Sequence, residues 1–419
     1  MKKTLFMAAL MAMFIGGAKA QEKPSVKLYG FIRNYACFDT RESLTSNSEQ
    51  FYYMPKDEKL DANGNDINEQ PNMMLLSITT RLGLNITGPE FLGAKTSAKI
   101  ESDFAGFGTS NTVLRIRQAY AKMEWEKSSI LVGQAWHPIM GDMMPDVFSL
   151  ETGAPFTPFS RSPQLRYDYK NKGFTLTATA LYQYQYTSNG PDGSSFNYAR
   201  NAVVPELYFQ AMYKNGGFMI GAGVDLLAIK PRQSYTHTTT GENGEQITNT
   251  YKCKEDLAVS ITPNIFASYK KGDWGFKGRV TYAQNASHLS MISGYGVTEI
   301  YDNGEQKYGT LNSIGGWFDI TKKEQLKKGY LTWCWFWGYT KNLGCNDDIV
   351  GPIYMRGEKN MDRMWRVAPS VLYTHNAMSI GIELDATTVA YGTPDSRYKV
   401  SDTHNVTNFR ICTMLKYNF

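Results

Sequence analysis

The feature that most constrains the fold is a strict alternation of short and long connections between segments in which apolar and polar residues alternate. The segments have about ten residues or more, the length of a strand that crosses a membrane at a tilt. The short connections are 88–93, 126–129, 171–173, 214–217, 270–273, 322–328 and 375–378. The long ones are 40–72, 137–162, 187–202, 230–255, 289–309, 344–362 and 393–404, with a modest one at 106–111. Between these connections lie sixteen segments.

Sixteen segments joined in this way predict an all-β fold, a 16-stranded antiparallel transmembrane β-barrel that covers residues 21–419. Outer-membrane barrels have an even number of strands, short periplasmic turns and long extracellular loops. Both ends of the chain are then expected on the periplasmic side. A β-sandwich or a soluble propeller gives no reason for long and short connections to alternate. We find no sign of a separate domain or of an internal repeat.

Individual segments show one apolar and one polar face. In 405–419, Phe409, Ile411 and Leu415 share one face, and Asn408 and Arg410 share the other. The segment 329–341 places its tryptophans on one face, namely Trp333, Trp335 and Trp337. Such a face is costly in water and favourable against lipid or a neighbouring subunit. We expect these faces on the outside of the barrel.

The first twenty residues have the features of a secretory signal peptide. They comprise Lys2 and Lys3, an apolar run over 5–15 and the small-residue site Ala18-Lys19-Ala20. A membrane anchor is the alternative, but the apolar run is short for a span of about 20 residues. Removal of the three lysines of residues 1–20 lowers the formal charge from +5 to +2. A charge this small does not indicate nucleic acid or another strong polyanion as a partner.

The cysteines and histidines indicate no metal site, cofactor or catalytic centre. Five cysteines are an odd set without metal-ligand spacing, although a disulfide between Cys253 and Cys345 in the loops remains open. The histidines are His137, His237, His288, His375 and His404, and all fall in or beside connections. None lies within a strand next to a serine and a carboxylate, as a Ser–His pair on a barrel wall would require. We therefore predict that the protein is not an enzyme.

The segment from Val113 to Tyr120 shows what faces the interior. Leu114 and Ile116 lie on one face and Arg115 and Arg117 on the other, because side chains alternate along a strand. With lipid outside, the arginines face the lumen. Parity places inside the barrel the bases Arg33, Arg81, Lys99, Arg115, Arg117, Arg166, Lys277, Arg279, Arg366 and Arg410, and the acids Glu101, Asp103, Asp168, Glu206, Asp225, Glu383 and Asp385.

These charges have two interpretations. Any barrel turns its charges inward, where they pair with one another and keep the lumen wet. The arginines, however, concentrate on strands 16, 1, 2, 4 and 6, one contiguous sector of wall, and arginines in a pore favour anions. The predicted pore-lining and solute-binding residues are Arg33, Arg81, Arg115, Arg117, Arg166, Arg366 and Arg410. We expect Arg115 and Arg117 to face water at the constriction, so that their replacement costs little stability.

Three stretches resemble a known family. LRIRQAYAKMEW, ILVGQAWHPIMGD and SPQLRYDY, all within 114–169, are similar to motifs of the DcaP-like family of outer-membrane porins. Elsewhere the likeness is architectural, through KLYGFIR near the start and the terminal Phe419. It implies a trimer of sixteen-stranded barrels that passes small anions such as dicarboxylates, with Arg115, Arg117 and Arg166 among the arginines near the constriction. Family members can carry a helical extension before the barrel; here the first strand begins at about Val26, so trimerisation would rest on the barrel walls.

The long connection 137–162 is the predicted constriction loop. It is apolar for an extracellular loop and would be an aggregation hazard if exposed. Folding into the lumen would bury its apolar residues and leave four charged residues facing the solute, namely Asp142, Asp146, Glu151 and Arg161. The alternative is that the loop packs over the rim or against a neighbouring subunit.

The sequence therefore predicts an outer-membrane porin for passive diffusion of small hydrophilic solutes, with a preference for anions such as carboxylates. Outer-membrane lipid and two further copies of the chain are the expected partners. A channel for hydrophobic small molecules would need an apolar strip in the lumen, against which the arginine sector argues. A structural or adhesive barrel is a further alternative, and conductance would separate it from both channels.

Overall fold

The computed structural model describes residues 24–46, 51–106, 113–141, 143–148, 153–254 and 257–419. Within these ranges, sixteen antiparallel strands close into one barrel, which confirms the predicted fold. The strands are β1 (Ser25–Asp39), β2 (Asn72–Leu76 and Arg81–Thr87), β3 (Lys95–Asp103), β4 (Arg115–Glu124), β5 (Ser128–Trp136), β6 (Arg161–Asn171), β7 (Phe174–Leu181), β8 (Glu206–Asn215), β9 (Phe218–Ile229), β10 (Ala258–Lys271), β11 (Trp274–Gln284), β12 (Gln306–Gln325), β13 (Tyr330–Gly344), β14 (Met361–His375), β15 (Met378–Pro394) and β16 (Val400–Asn418).

The first and last strands close the barrel. β1 pairs with β16 from Phe31, opposite Asn418, to Asp39, opposite Arg410. The backbones of Gly30 and Phe419 exchange two hydrogen bonds of 3.1 Å, so the last residue takes part in the closure. On its other edge, β1 pairs with both segments of β2. Closure satisfies the backbone groups that an edge strand would expose to lipid.

The two faces of the wall have opposite chemistry, as the alternation predicts. On β16, Phe409 is 58 % exposed and Ile411 is 45 % exposed, whereas Asn408 is fully buried. On β13, Trp337 is exposed and its neighbour Phe336 is buried. An outer surface of large apolar side chains is favourable against lipid or another subunit. The barrel therefore has the exterior of a membrane-spanning protein.

Short and long connections lie at opposite ends of the barrel. Residues 172–173 join β6 to β7 at one end, and 137–160 join β5 to β6 at the other. One predicted long connection, 393–404, is wrong. β15 and β16 continue to pair as far as Pro394 and Val400, so only residues 395–399 separate them.

The long connections contain small elements of their own. They include the hairpins Ser43–Ser46 with Phe51–Pro55, Asn189–Gly190 with Gly193–Ser194 and Ser234–Thr240 with Gln246–Lys252, the helix α1 (Asn197–Ala202) and the 3-10 turn Ser287–Leu289. The strand Gly294–Ile300 pairs with β12 and with Ile353–Met355, so it extends the wall beyond the barrel. Among the described residues, no helix is long and apolar enough to cross a membrane.

The connection after β5 folds into the barrel, as predicted, and we call residues 137–160 the inward loop. Phe156 of this loop is fully buried, with its ring centroid 6.1 Å from that of Phe336 on β13. The peptide N–H of Asp146 donates a hydrogen bond of 2.7 Å to the Asp319 carboxylate on β12. The loop ends at residue 160 rather than 162, because Arg161 begins β6.

All five cysteines lie in the described part of the chain and are buried, and no disulfide joins any two of them. Cys37 and Cys412 lie opposite each other where β1 meets β16. The disulfide considered between Cys253 and Cys345 is not formed.

Candidate functional site

The arginine pair on β4 has the predicted orientation. Leu114 and Ile116 are 65 % and 52 % exposed on the outside, whereas Arg115 and Arg117 are 5 % and 4 % exposed on the inside. The other predicted arginines also take the inward parity of their strands, namely Arg33, Arg81, Arg166, Arg366 and Arg410. They differ in whether a carboxylate pairs with the guanidinium and in how much of the guanidinium is exposed to solvent.

Arg115 and Arg117 are held by two carboxylates of the neighbouring strand β3. Nε and Nη2 of Arg115 donate to the two oxygens of Asp103, at 2.9 and 2.8 Å. Arg117 donates to Asp103 at 2.6 Å and to Glu101 at 3.0 Å. We call these four side chains the buried network. Two positive charges meet two negative charges out of water, so the prediction that Arg115 and Arg117 face water is wrong.

A second group of basic side chains surrounds the ring of Phe31 on β1. The charged groups of Arg33 and Arg81 both lie 5.0 Å from its centroid, and that of Lys416 lies 4.4 Å away. These distances are in the range of cation–π interactions. Strand register brings the residues together, since Arg33 lies opposite Lys416 and Phe31 lies opposite Arg81. We call these four residues the Phe31 cluster.

Few acids balance the Phe31 cluster. Arg81 is 3.6 Å from a Glu101 oxygen, and the same carboxylate is 3.8 Å from Lys99. Within the described ranges, Arg33 and Lys416 form no ion pair, and both side chains are partly exposed. The cluster therefore carries an excess of positive charge inside the barrel.

The tip of the inward loop lies beside this cluster. Tyr35, two positions from Arg33 on the same face of β1, donates its hydroxyl to the carbonyl oxygen of Phe148 at 2.9 Å. The Arg33 guanidinium lies 4.9 Å from the Tyr35 ring centroid. The peptide N–H of Phe148 in turn donates to Glu383 on β15 at 3.0 Å. The cluster therefore lies on the part of the barrel wall that the inward loop contacts.

Arg366 and Arg410 are covered by the first long loop. The ring of Tyr52, in the hairpin of that loop, lies 4.5 Å from the Arg366 guanidinium and 4.8 Å from that of Arg410. Burial raises the pKa of the Tyr52 hydroxyl to about 12, so this group stays neutral. Arg366 is fully buried and donates at 2.9 Å to the carbonyl oxygen of Ala154 in the inward loop. Its charge holds loops against the wall.

Arg166 and Arg161, both on β6, differ in access. Arg166 is 27 % exposed and pairs with Asp168 at 2.9 Å. Arg161 is fully buried, 4.7 Å from the Trp136 ring, and donates to the Tyr186 hydroxyl at 3.0 Å. The prediction that Arg161 faces the solute is therefore wrong, because aromatic side chains enclose its guanidinium.

The acids predicted for the constriction loop can be placed in one case. The Asp146 side chain is 43 % exposed and pairs with Lys277 of β11 at 2.6 Å. Asp142 and Glu151 lie outside the described residues, as does the predicted signal peptide 1–20.

Sequence parity identified Arg33 and Arg81 but did not single out the rest of the Phe31 cluster. Lys416 has the inward parity of Arg410, and Phe31 has that of Arg33, so both signals are present in the sequence. The missing information is the register of β1 against β16, which alone brings Lys416 opposite Arg33.

The sequence matches the model of a Gram-negative porin family over residues 7–310, which is most of its length. No curated protein sequence matches the chain.

Solved structures of outer-membrane channels share the fold. The outer membrane channel DcaP of Acinetobacter baumannii has a TM-score of 0.67 at 18 % identity, over 97 % of this chain and 100 % of that chain. In-vitro folded OmpT of Vibrio cholerae, in its trimer form, has a TM-score of 0.52 at 12 % identity, over 95 % and 100 %. An anion-selective porin from Comamonas acidovorans has a TM-score of 0.51 at 11 % identity, over 95 % and 100 %. At such identities the similarity shows a common fold.

Proposed function

Because the chain belongs to the Gram-negative porin family, we propose that it lets small anions, carboxylates above all, diffuse through the outer membrane. The family and the barrel fold give an outer-membrane porin, which is a channel and not an enzyme. The DcaP-like resemblance in the sequence is confirmed by the family match and by the shared fold. The preference for anions is supported by one observation, the Phe31 cluster.

The strength of the cluster can be estimated from its charges. Arg33, Arg81 and Lys416 surround the ring of Phe31. Glu101 is the acid that pairs with Arg81, at a distance of 3.6 Å between Oε1 and the guanidinium. At an effective dielectric constant of about 20, a charge about 4 Å from an anion contributes roughly 4 kcal/mol before desolvation. A net gain of about 1.4 kcal/mol already raises the occupancy of an anion tenfold.

The shape of the cluster suits carboxylates. A guanidinium presents a planar fork that donates two parallel hydrogen bonds to a carboxylate. Arg33 and Arg81 place such forks at the same distance from the ring of Phe31, and Lys416 adds a third cation. Because the side chains stay partly hydrated, binding is weak enough for release, as conduction requires.

The test is the reversal potential of single channels in a salt gradient. Arg33 and Lys416 are the two cations of the cluster with which no described carboxylate pairs, and replacing both, Arg33→Gln with Lys416→Gln, should move the reversal potential towards cation selectivity. The matched control, Lys327→Gln with Lys328→Gln, removes two charges from the exposed turn between β12 and β13 and should leave selectivity nearly unchanged.

Three outcomes contradict parts of the proposal. An unchanged reversal potential in the Arg33, Lys416 variant contradicts the assignment of the anion site to the Phe31 cluster. A parent channel that prefers apolar solutes over salt supports the hydrophobic channel instead. A parent that does not conduct contradicts channel function and supports a structural or adhesive barrel.

We also propose that residues 21–419 are exported by the Sec pathway after removal of the signal peptide, and that three copies of the chain assemble into a homotrimer. It is supported by the trimer form of OmpT, by the DcaP-like motifs and by the signal-like residues 1–20. The outward tryptophans of β13, Trp333, Trp335 and Trp337, supply apolar surface for lipid or a neighbouring subunit. Native mass measurement in mild detergent should give three chains, and a sample that contains only monomers would contradict the trimer.

A further inference from the structure

Four titratable side chains meet in a buried group that the proposed anion path does not use. His137 is the first residue of the inward loop, and Glu206 and Asp225 lie on β8 and β9. His288 lies in the 3-10 turn after β11. Their exposed fractions are 0, 2, 1 and 1 %, respectively. We call these residues the His–carboxylate group.

Both imidazoles point a nitrogen at both carboxylates. Nε2 of His137 lies 2.7 Å from Oε1 of Glu206 and 3.6 Å from Oδ1 of Asp225. Nε2 of His288 lies 3.1 Å from the same Glu206 oxygen and 3.9 Å from Oδ2 of Asp225. Ligand atoms of His137, Glu206 and Asp225 all lie within 4.8 Å of one another. These three residues thus supply donors to one small volume, and His288 borders it through its contact with the same Glu206 oxygen.

Two carboxylate oxygens of the group lack a hydrogen-bond donor. In the described part of the chain, Oε2 of Glu206 and Oδ1 of Asp225 are buried and accept no hydrogen bond. The surroundings are apolar, since Tyr208, whose ring lies 5.4 Å from that of His137, belongs to a buried hydrophobic cluster. Unsatisfied carboxylate oxygens are costly in such a place. A cation among these atoms would satisfy both.

We propose that the His–carboxylate group binds a divalent transition-metal ion of the zinc class. Its ligands are Nε2 of each histidine and one oxygen each of Glu206 and Asp225. Imidazole nitrogen with carboxylate oxygen suits Zn²⁺, Mn²⁺ or Fe²⁺, whereas Ca²⁺ and Mg²⁺ prefer oxygen ligands alone. Ligands about 2.1 Å from a tetrahedral ion lie about 3.4 Å apart. With Oε1 of Glu206 and Oδ1 of Asp225 as the oxygen ligands, the distances from Nε2 of His137 are 2.7 and 3.6 Å. The distance from Nε2 of His288 to Oε1 of Glu206 is 3.1 Å, so the three distances lie on both sides of this value.

Metal binding requires protons to move. The peptide N–H of Ile139 donates to Nδ1 of His137 at 3.1 Å, so the neutral ring carries its proton on Nε2 and donates it to Glu206. An ion on Nε2 takes the place of that proton, which moves to Nδ1, and the hydrogen bond from Ile139 is given up. His288 needs the same shift of its proton from Nε2, which faces the Glu206 carboxylate at 3.1 Å, to Nδ1. Its Nδ1 has no partner within the described ranges, so no hydrogen bond is given up there. The bound ion ties the inward loop to β8, β9 and the turn after β11.

The first test is the metal content of the folded porin in detergent. Protein prepared without chelators is analysed by inductively coupled plasma mass spectrometry, dialysed against EDTA and titrated with zinc chloride. We expect about one tightly bound ion per chain and a higher melting temperature with zinc, because a ligand that binds only the folded state stabilises it. No bound metal together with an unchanged melting temperature would overturn the proposal and leave a network of ion pairs only.

The second test locates the ion. His288→Gln and Asp225→Asn each remove one ligand at nearly constant volume and should weaken zinc binding at least tenfold. His404→Gln is the matched control. His404 also pairs with a carboxylate, that of Asp57 at 2.7 Å, but its side chain is exposed, so this variant should leave zinc binding unchanged. Zinc binding of parental strength in both ligand variants overturns the assignment. If neither variant folds, the zinc titration of the parent decides, and neither readout depends on anion selectivity.

Discussion

Two groups of basic side chains lie on adjoining strands of one wall and have opposite surroundings. In the buried network, Arg115 and Arg117 are 5 % and 4 % exposed, with ion pairs of 2.6 to 3.0 Å to the acids of β3. In the Phe31 cluster, Arg33 and Lys416 are partly exposed, and no described carboxylate pairs with them. The difference arises from the neighbouring strand, which supplies Asp103 opposite Arg115 but Lys416 opposite Arg33.

An inward arginine can serve the barrel in two ways. A guanidinium paired with a carboxylate out of water stabilises the wall only while both partners are present. A guanidinium that keeps part of its hydration and lacks a local counter-charge remains available to a passing anion. Substitutions in the two groups should therefore change different observables.

The largest effect is expected from Arg115→Gln with Arg117→Gln. It leaves Glu101 and Asp103 buried beside neutral amides, and breaking a buried pair in this way costs about 3–5 kcal/mol. Urea unfolding in detergent, followed by tryptophan fluorescence, should show this loss. Arg33→Gln with Lys416→Gln is the comparison and should change stability little. Equal losses in the two double variants would remove the distinction between the groups.

A smaller effect is expected from Glu101→Gln, and it is a gain in anion selectivity rather than a loss of stability, because this carboxylate contacts both groups. Its loss removes the acid that pairs with Arg81, so anion occupancy should rise by up to about tenfold, or about 1.4 kcal/mol. Arg117 keeps its 2.6 Å bond to Asp103, which limits the loss of stability. Reversal potentials measure the first change and urea unfolding the second. A fall in anion selectivity would show that Glu101 holds the cations in place rather than competing with the solute.

The smallest effect is expected from Phe31→Leu. The ring orients three cations, and each cation–π contact at an accessible site contributes about 0.5–1 kcal/mol. Anion selectivity should fall a few-fold while unfolding remains nearly unchanged. Ile32→Leu, on the outward face and 50 % exposed, is the matched control. Equal anion selectivity in the two variants would show that the aromatic ring of Phe31 does not position the three cations.

The alternation along the chain was sufficient to predict the strand number, the sides of the connections and the direction of each arginine. These properties follow from the period of two along a strand and from the parity of turns, both of which are local. The inward folding of the loop after β5 could also be predicted, because residues such as Phe156 would be costly in water.

The solvent exposure of the charged side chains inside the barrel could not be predicted in the same way. Arg366 is covered by Tyr52, which is more than 300 residues away in the chain and lies in a loop with no periodic pattern. The His–carboxylate group likewise joins residues from four segments, and no sequence spacing reveals it. Both depend on how loops pack inside a closed barrel, which is a property of the whole fold.

The closure of β1 on β16 has a consequence for assembly. Arg33 and Phe31 come from the start of the barrel sequence, and Lys416 comes from its end, so the Phe31 cluster exists only after the two ends have met. A slip of two residues in that pairing would preserve the inward parity yet displace Lys416 by about 7 Å along the wall, beyond the reach of the Phe31 ring. A chain that closes out of register would still look like a barrel to spectroscopy, but it would have lost its anion site. Anion selectivity therefore reports whether β1 and β16 have paired in the correct register.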